Sequence, residues 1–287
     1  MIQEFLQFIN DLAEYSFLRH ALTTSLILGV TCSLIGCFII LRGLALIGDA
    51  ISHAVLPGVA ISYLLKISYF FGAVTFGILA ALGISFVQQN SKIKSDSAIG
   101  IVFSGFLALG ILLVTRIESS INLNNILFGN VLTISASDRM LAEVVSGVVL
   151  LGIFLFYKEL LLTSFDETMA KSAGLPVKTI NYLMMLLLTL ITVVSLQTVG
   201  VILVVSLLIT PASAAYLLTN KFGNMLWISA LIGIISAFVG LFLSVSYNLP
   251  SGVVIVLAAT SIFILIFLFN PRTGLVWNKF RFKKALQ

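Results

Sequence analysis

The chain has 287 residues, of which 60% are hydrophobic and 9% charged, with a formal net charge of +5. A water-soluble domain carries about 25% charged residues, so this composition excludes a soluble globular protein and indicates an integral membrane protein. The apolar runs are long and continuous rather than alternating at every second residue, which makes the spans helices and not strands of a closed barrel. The positive charge sits in short loops and at the C-terminal end, where membrane topology places it, so it implies no nucleic-acid partner.

In chain order, residues 1–18 form an acidic, amphipathic segment without the basic start and cleavage site of a signal peptide. Nine candidate spans follow at about 20–41, 45–65, 69–87, 97–116, 137–157, 179–197, 199–219, 225–246 and 251–269. Only Gln197, Thr198 and Gly200 interrupt the sixth and seventh, so eight spans is the alternative count. The pattern predicts an all-α polytopic bundle forming one transmembrane domain over 1–287. Arg42, Lys92, Lys94, Lys158, Lys171, Lys178, Lys221 and the basic tail 271–287 all fall on one side if the N-terminus is external and the C-terminus cytoplasmic. That orientation requires an odd number of spans. Cys32 and Cys37, in the first span, read as small buried hydrophobes.

The longest loop on the basic side covers 158–178 and is too polar to span. Asp166 at a cap position, helix formers through Ala173, then Gly174 and Pro176 predict a short helix with a defined stop. A helix of this kind in such a loop is a docking element or a solvated connector.

Asp49 and His53 stand out in the second span. Their i,i+4 spacing puts both on one helix face, and an Asp near the centre of a span costs about 2.5–3.5 kcal/mol on insertion scales. Two readings offset that cost: a hydrogen bond between the two side chains, or a cation or proton site. Pro57 lacks an N–H for the carbonyl of His53, so a kink is expected there. Gly48, Ala50, Ser52, Ala54, Gly58 and Ala60 are small enough for close helix approach. A carboxylate with an imidazole suits Mn, Fe or Zn. Two ligands are too few for these metals, and a symmetric homodimer would double them. Pro211 predicts a second kinked span. His20 reads as a membrane-interface residue, and Glu143, inside the fifth span, has no evident role. No G-x-x-x-x-G-K-[ST], H-E-x-x-H or G-x-S-x-G occurs, so no P-loop, metalloprotease or hydrolase elbow is present and no enzyme is expected.

The stretches "FIILRGLALIGDAISHAVLPGVA", "SDSAIGIVFSGFLALGILL", "ILFGNVL", "SFDETMAKSAGLPV" and "VGVILVVSLLITPASAAYLL" occur in this order. Together they resemble the permease subunits of the metal-ion ABC importers, the zinc/manganese/iron family, and within it most the manganese permeases of Gram-positive bacteria. The resemblance covers essentially the whole chain. It implies a fold related to the vitamin B12 and siderophore importers, with fewer spans. It also implies a homodimer in a bacterial plasma membrane, two cytoplasmic ATP-binding cassette subunits and an extracellular metal-binding lipoprotein. No cofactor would be held; the metal is cargo, Mn2+ or alternatively Zn2+ or Fe2+. The family's metal pair falls on Asp49 and His53. Its coupling loop falls on Ser164 through Val177, with Asp166, Glu167, Ala170 and Gly174 in the coupling helix and its stop. A secondary transporter or channel using Asp49 and His53 as a proton or ion relay is the competing class.

Overall fold

A computed structural model describes residues 2–116 and 131–270. The first five residues of "ILFGNVL" and the basic tail 271–287 lie outside them. The described residues form helices α1 (Ile2–Glu14), α2 (Ser16–Leu41), α3 (Ile47–Ala54), α4 (Leu56–Leu65), α5 (Tyr69–Asn90), α6 (Ser95–Arg116), α7 (Ala136–Leu155), α8 (Tyr157–Phe165), α9 (Glu167–Ser172), α10 (Val177–Val199), α11 (Val201–Leu218), α12 (Phe222–Tyr247) and α13 (Ser251–Phe269). A single 3-10 turn at Val131–Thr133 precedes α7.

Among the described residues, eight segments are long and apolar enough to cross a membrane, with α3 and α4 counted together as Ile47–Leu65. A ninth arises if α7 and α8 are one span, bent by 71°. The sixth and seventh spans, which the sequence left hard to separate, are distinct helices, and the eight-or-nine count turns instead on the bend in the fifth. Ser135 caps α7 by accepting from the Asp138 N–H at 3.1 Å. The second arm, α8, takes up the first half of the polar loop, ahead of the expected short helix. Gly200, at φ +85°, is the only residue between α10 and α11.

The first span begins at Ser16, ahead of the expected residue 20, because Arg19 does not end the helix. Its guanidinium reaches back to the Ala13 carbonyl at 3.3 Å, leaving the helix face apolar. Segment 1–18 is accordingly split between α1 and the start of α2. Phe5 and Phe8 of α1 meet Phe242 of α12 edge-on at 5.8 and 5.4 Å.

Two helices are central. In the most apolar stretches of α2 and α10, 67% of residues are buried, against 17% in α6 and 22% in α13. Lipid is as apolar as Leu, so close packing and satisfied polar groups hold such a bundle together. Gly58 of α4 and Gly72 of α5 face each other so closely that a side chain on either would collide with the other's carbonyl. Buried hydroxyls bond their own helices: Ser25 to the Ala21 carbonyl (2.7 Å), Thr31 to Ile27 (2.9 Å), and Thr189 to Met185 (2.8 Å). Ser229 of α12 donates to the Ser33 carbonyl of α2 at 3.1 Å, joining two helices. Cys32 and Cys37 are both buried and free.

Candidate functional site

Helix α3 has two faces. Ile47, Gly48, Ile51 and Ser52 are buried. Gly48 lies against Leu208 of α11, where an added side-chain carbon would stand 2.8 Å from it. The opposite face carries Asp49 and His53. His53 Nε2 lies 3.6 Å from Asp49 Oδ1, with the two side chains 25% and 45% exposed respectively. The imidazole meets the ring of Phe103 on α6 edge-on at 5.7 Å. The pair therefore opens from the protein surface with one aromatic wall beside it. Among the described residues, no group of three or more His, Cys, Asp or Glu side chains could hold a metal ion. One copy of the chain offers two side-chain ligands here.

The span is interrupted beyond the pair. The Val55 N–H still bonds the Ile51 carbonyl at 3.2 Å, and Val55 accepts from Val59 at 3.1 Å, but α3 ends at Ala54 and α4 starts at Leu56. Pro57 occupies the first turn of α4, where a missing N–H leaves no helical bond unmade. Its ring packs on Gly110 of α6. Pro211 lies buried inside α11, and the helix continues on both sides of it.

The loop motif forms α9. The Asp166 carboxylate accepts from the Thr168 and Met169 N–H groups at 2.8 and 2.9 Å, which is the expected N-cap. At the other end Gly174 adopts φ +80°. Its N–H bonds the Lys171 carbonyl at 3.0 Å and the Leu175 N–H bonds Ala170 at 3.1 Å, a Schellman stop. Ala170 is fully buried and seats the helix, and Lys171 pairs with Glu167 at 3.7 Å. Phe165 and Met169 are 62% and 61% exposed. Two large apolar side chains turned outward from a polar loop fit a protein–protein contact.

One buried polar cluster escaped the sequence reading. Arg42, just past α2, looked like a topology-setting charge. In the structure its guanidinium donates three separate bonds: Nε to Ser164 Oγ (2.9 Å), one terminal nitrogen to Asn181 Oδ1 (2.8 Å) and the other to Thr163 Oγ1 (2.9 Å). The Asn181 amide then donates to Glu167 Oε1 at 2.7 Å. Burial lowers the Arg42 pKa to about 10, against the opposing pull of Glu167, and the side chain stays charged at neutral pH. Nothing in the local sequence of Arg42 signals these partners, which lie more than 120 positions away.

Glu143, left without a role by the sequence, pairs with Arg139 one turn earlier on α7 at 3.2 Å. That i,i+4 spacing was readable. His20 sits near the start of α2, where its carbonyl accepts from Thr23 Oγ1 at 3.2 Å; it is remote in sequence and element from Asp49 and His53.

Comparison with known proteins decides the class. The model of the ABC 3 transport family matches residues 14–270. The chain belongs to the ABC 3 transport family. It is 55% identical to the manganese transport system membrane protein MntC of Listeria monocytogenes, over 96% of this chain and 98% of that protein. It superimposes on a chain of PsaBC from Streptococcus pneumoniae in complex with Fab with a TM-score of 0.84 and 46% identity, covering 97% and 99% of the two chains. A metal-chelate type ABC transporter in an inward-facing conformation shares the fold, with a TM-score of 0.71 at 19% identity and coverage of 90% and 87%. Family membership removes the secondary-transporter alternative: the chain is a permease subunit, and ATP hydrolysis resides in a separate subunit.

Proposed function

We propose that this chain is the permease subunit of an importer that carries Mn2+ across a bacterial plasma membrane, and that it works as a homodimer. The observation that carries this reading is the Asp49–His53 pair. At 3.6 Å the two side chains form a loose pair without a direct hydrogen bond, leaving their donor atoms available to an ion. Both remain partly exposed on a span of an ABC 3 family protein. A carboxylate oxygen and an imidazole nitrogen fit Mn2+, and a second copy of the chain brings the donor count to four. The 55% identical relative is a manganese transport protein, which supports Mn2+ over Zn2+ and Fe2+.

The remaining parts follow from the same reading. Two ATP-binding cassette subunits dock on α9, in contact with the helix that Asp166 caps, Glu167 and Ala170 belong to and Gly174 ends. The end of the bundle bearing Lys92, Lys94, Lys171 and Lys178 faces the cytoplasm, the N-terminus is external, and a metal-binding lipoprotein delivers the ion. The test is uptake of 54Mn2+, 65Zn2+ and 55Fe2+ by cells whose only importer is the intact complex. Saturable uptake of Mn2+ exceeding the other two is expected; preferential uptake of Zn2+ or Fe2+ overturns the cargo assignment.

A further inference from the structure

The hydrogen bonds of Arg42 connect two parts of the molecule that the proposed transport cycle must move together. Gly43 and Leu44 cap α2 through bonds to Ile40 and Ile39, both 3.1 Å, and only residues 43–46 separate Arg42 from the start of α3. The backbone of Arg42 is thus held to the end of α2, and the Ile47 N–H, bonded to the Leu44 carbonyl at 3.0 Å, joins the same turn to the helix carrying Asp49 and His53. Its side chain is fixed to α8 through Thr163 and Ser164 and to α10 through Asn181. Asn181 in turn holds Glu167 on α9. The hydroxyls of Thr163 and Ser164 spend their own protons on α8 carbonyls at 2.8 and 2.6 Å, so their oxygens are oriented to accept from the guanidinium. A cleft of about 600 Å³ lies along this chain of bonds, lined by Arg42, Glu167 and Asn181 and by Ser85, Gln88 and Gln89 of α5. The linked elements therefore border open space.

We propose that Arg42 is the positioning residue that converts displacement of α9 into displacement of α3. When the partner ATPase moves α9, Glu167 draws Asn181, Asn181 and the α8 hydroxyls draw the guanidinium, and the turn at Gly43 passes the motion to the helix bearing the metal pair. The planar fork of Arg reaches three acceptors at once, whereas the single ammonium of Lys cannot reproduce the three directions. This proposal rests on the permease reading above. Failure of that reading would appear as a wild-type complex that moves no Mn2+; failure of this proposal appears only in the variants.

The experiment uses the complete complex, permease with its ATPase subunits, in proteoliposomes loaded with the metal-binding partner. Mn2+ accumulated and phosphate released are measured together for Arg42→Lys, Asn181→Ala and the double variant. Arg42→Lys should keep ATP hydrolysis within about twofold of wild type and lower Mn2+ moved per ATP by about tenfold, in the range of coupling between distinct sites. Asn181→Ala cuts the link to Glu167 while leaving the bonds to Thr163 and Ser164, and should lower the same ratio. The double variant should be no worse than Arg42→Lys, because both substitutions break one chain of bonds. If Arg42→Lys fails to insert, Asn181→Ala alone decides. A purely structural Arg42 predicts a lower melting temperature with transport and hydrolysis falling in proportion. An unchanged ratio of Mn2+ to ATP in the assembled variants, or a proportional fall of both, overturns the proposal.

Discussion

Replacing Gly174 by Val tests whether the shape of α9 matters to transport. Gly174 sits at φ +80°, and a side chain there would meet nothing within 4 Å. The added Cβ therefore meets no clash among the described residues, and the main effect is on the backbone. Holding an L-residue in the left-handed region costs about 1–2 kcal/mol, with a β-branched residue at the upper end. The opposing terms are the two capping bonds, from Gly174 to Lys171 and from Leu175 to Ala170, each contributing about 0.5–1.5 kcal/mol. The two sides nearly balance, so the stop is expected to open. A shift of about 1.4 kcal/mol changes the population of the intact turn tenfold. Helix α9 has six residues, so losing one turn of 3.6 residues removes more than half of it. The bundle itself, held by α2 and α10, is untouched. The assay is Mn2+ uptake and phosphate release by the reconstituted complex, with melting temperature as control. Gly174→Val should insert and assemble with a near wild-type melting temperature and move several-fold less Mn2+ per ATP, with Gly174→Ala in between. Wild-type transport per ATP by Gly174→Val would refute the reasoning and leave the loop a connector.

Three further outcomes are expected. Gln3→Cys should react with an impermeant thiol reagent in intact cells and Ser172→Cys only after permeabilisation; labelling of residue 172 in intact cells would reverse the proposed orientation. Asp166→Ala removes both bonds to Thr168 and Met169 and should weaken α9 by about 1 kcal/mol, lowering transport per ATP while Asp166→Ser restores it; equal transport by both variants would contradict a role for the cap. Gly58→Leu drives a side chain into the Gly72 carbonyl, and overpacking of this kind costs about 1–3 kcal/mol or more, so the melting temperature of the purified complex should fall; an unchanged value would show that this crossing does not set the spacing of α4 and α5.

What the sequence revealed and what it hid divide along the range of the interactions involved. Asp49 and His53 were visible because a charge in an apolar run is costly and the i,i+4 spacing is local. The cap at Asp166 and the turn at Gly174 were visible for the same reason: each is set within about six residues. Helix α8 was not, because its buried positions, Leu160, Thr163 and Ser164, become a face only once Arg42 and the rest of the bundle lie beside them. Arg42 was read as a topology charge because its three acceptors come from two helices distant in sequence. The Arg139–Glu143 pair is as local as Asp49 and His53, since its i,i+4 spacing is set within one turn of α7. The start of α2 was misplaced by the polar look of Arg19 and His20, since side chains near a helix end reach out of the apolar zone without ending the helix.

The most direct test of the account is Mn2+ uptake per assembled complex for Asp49→Asn, His53→Ala and the double variant. Asp49→Asn keeps the size of the side chain and one carbonyl ligand while removing the negative charge that offsets the cation. Each single variant should abolish uptake while the complex still inserts, assembles with its ATPase and melts near the wild-type temperature. A double variant that moves Mn2+ at a near wild-type rate would contradict the account and place the metal path away from α3.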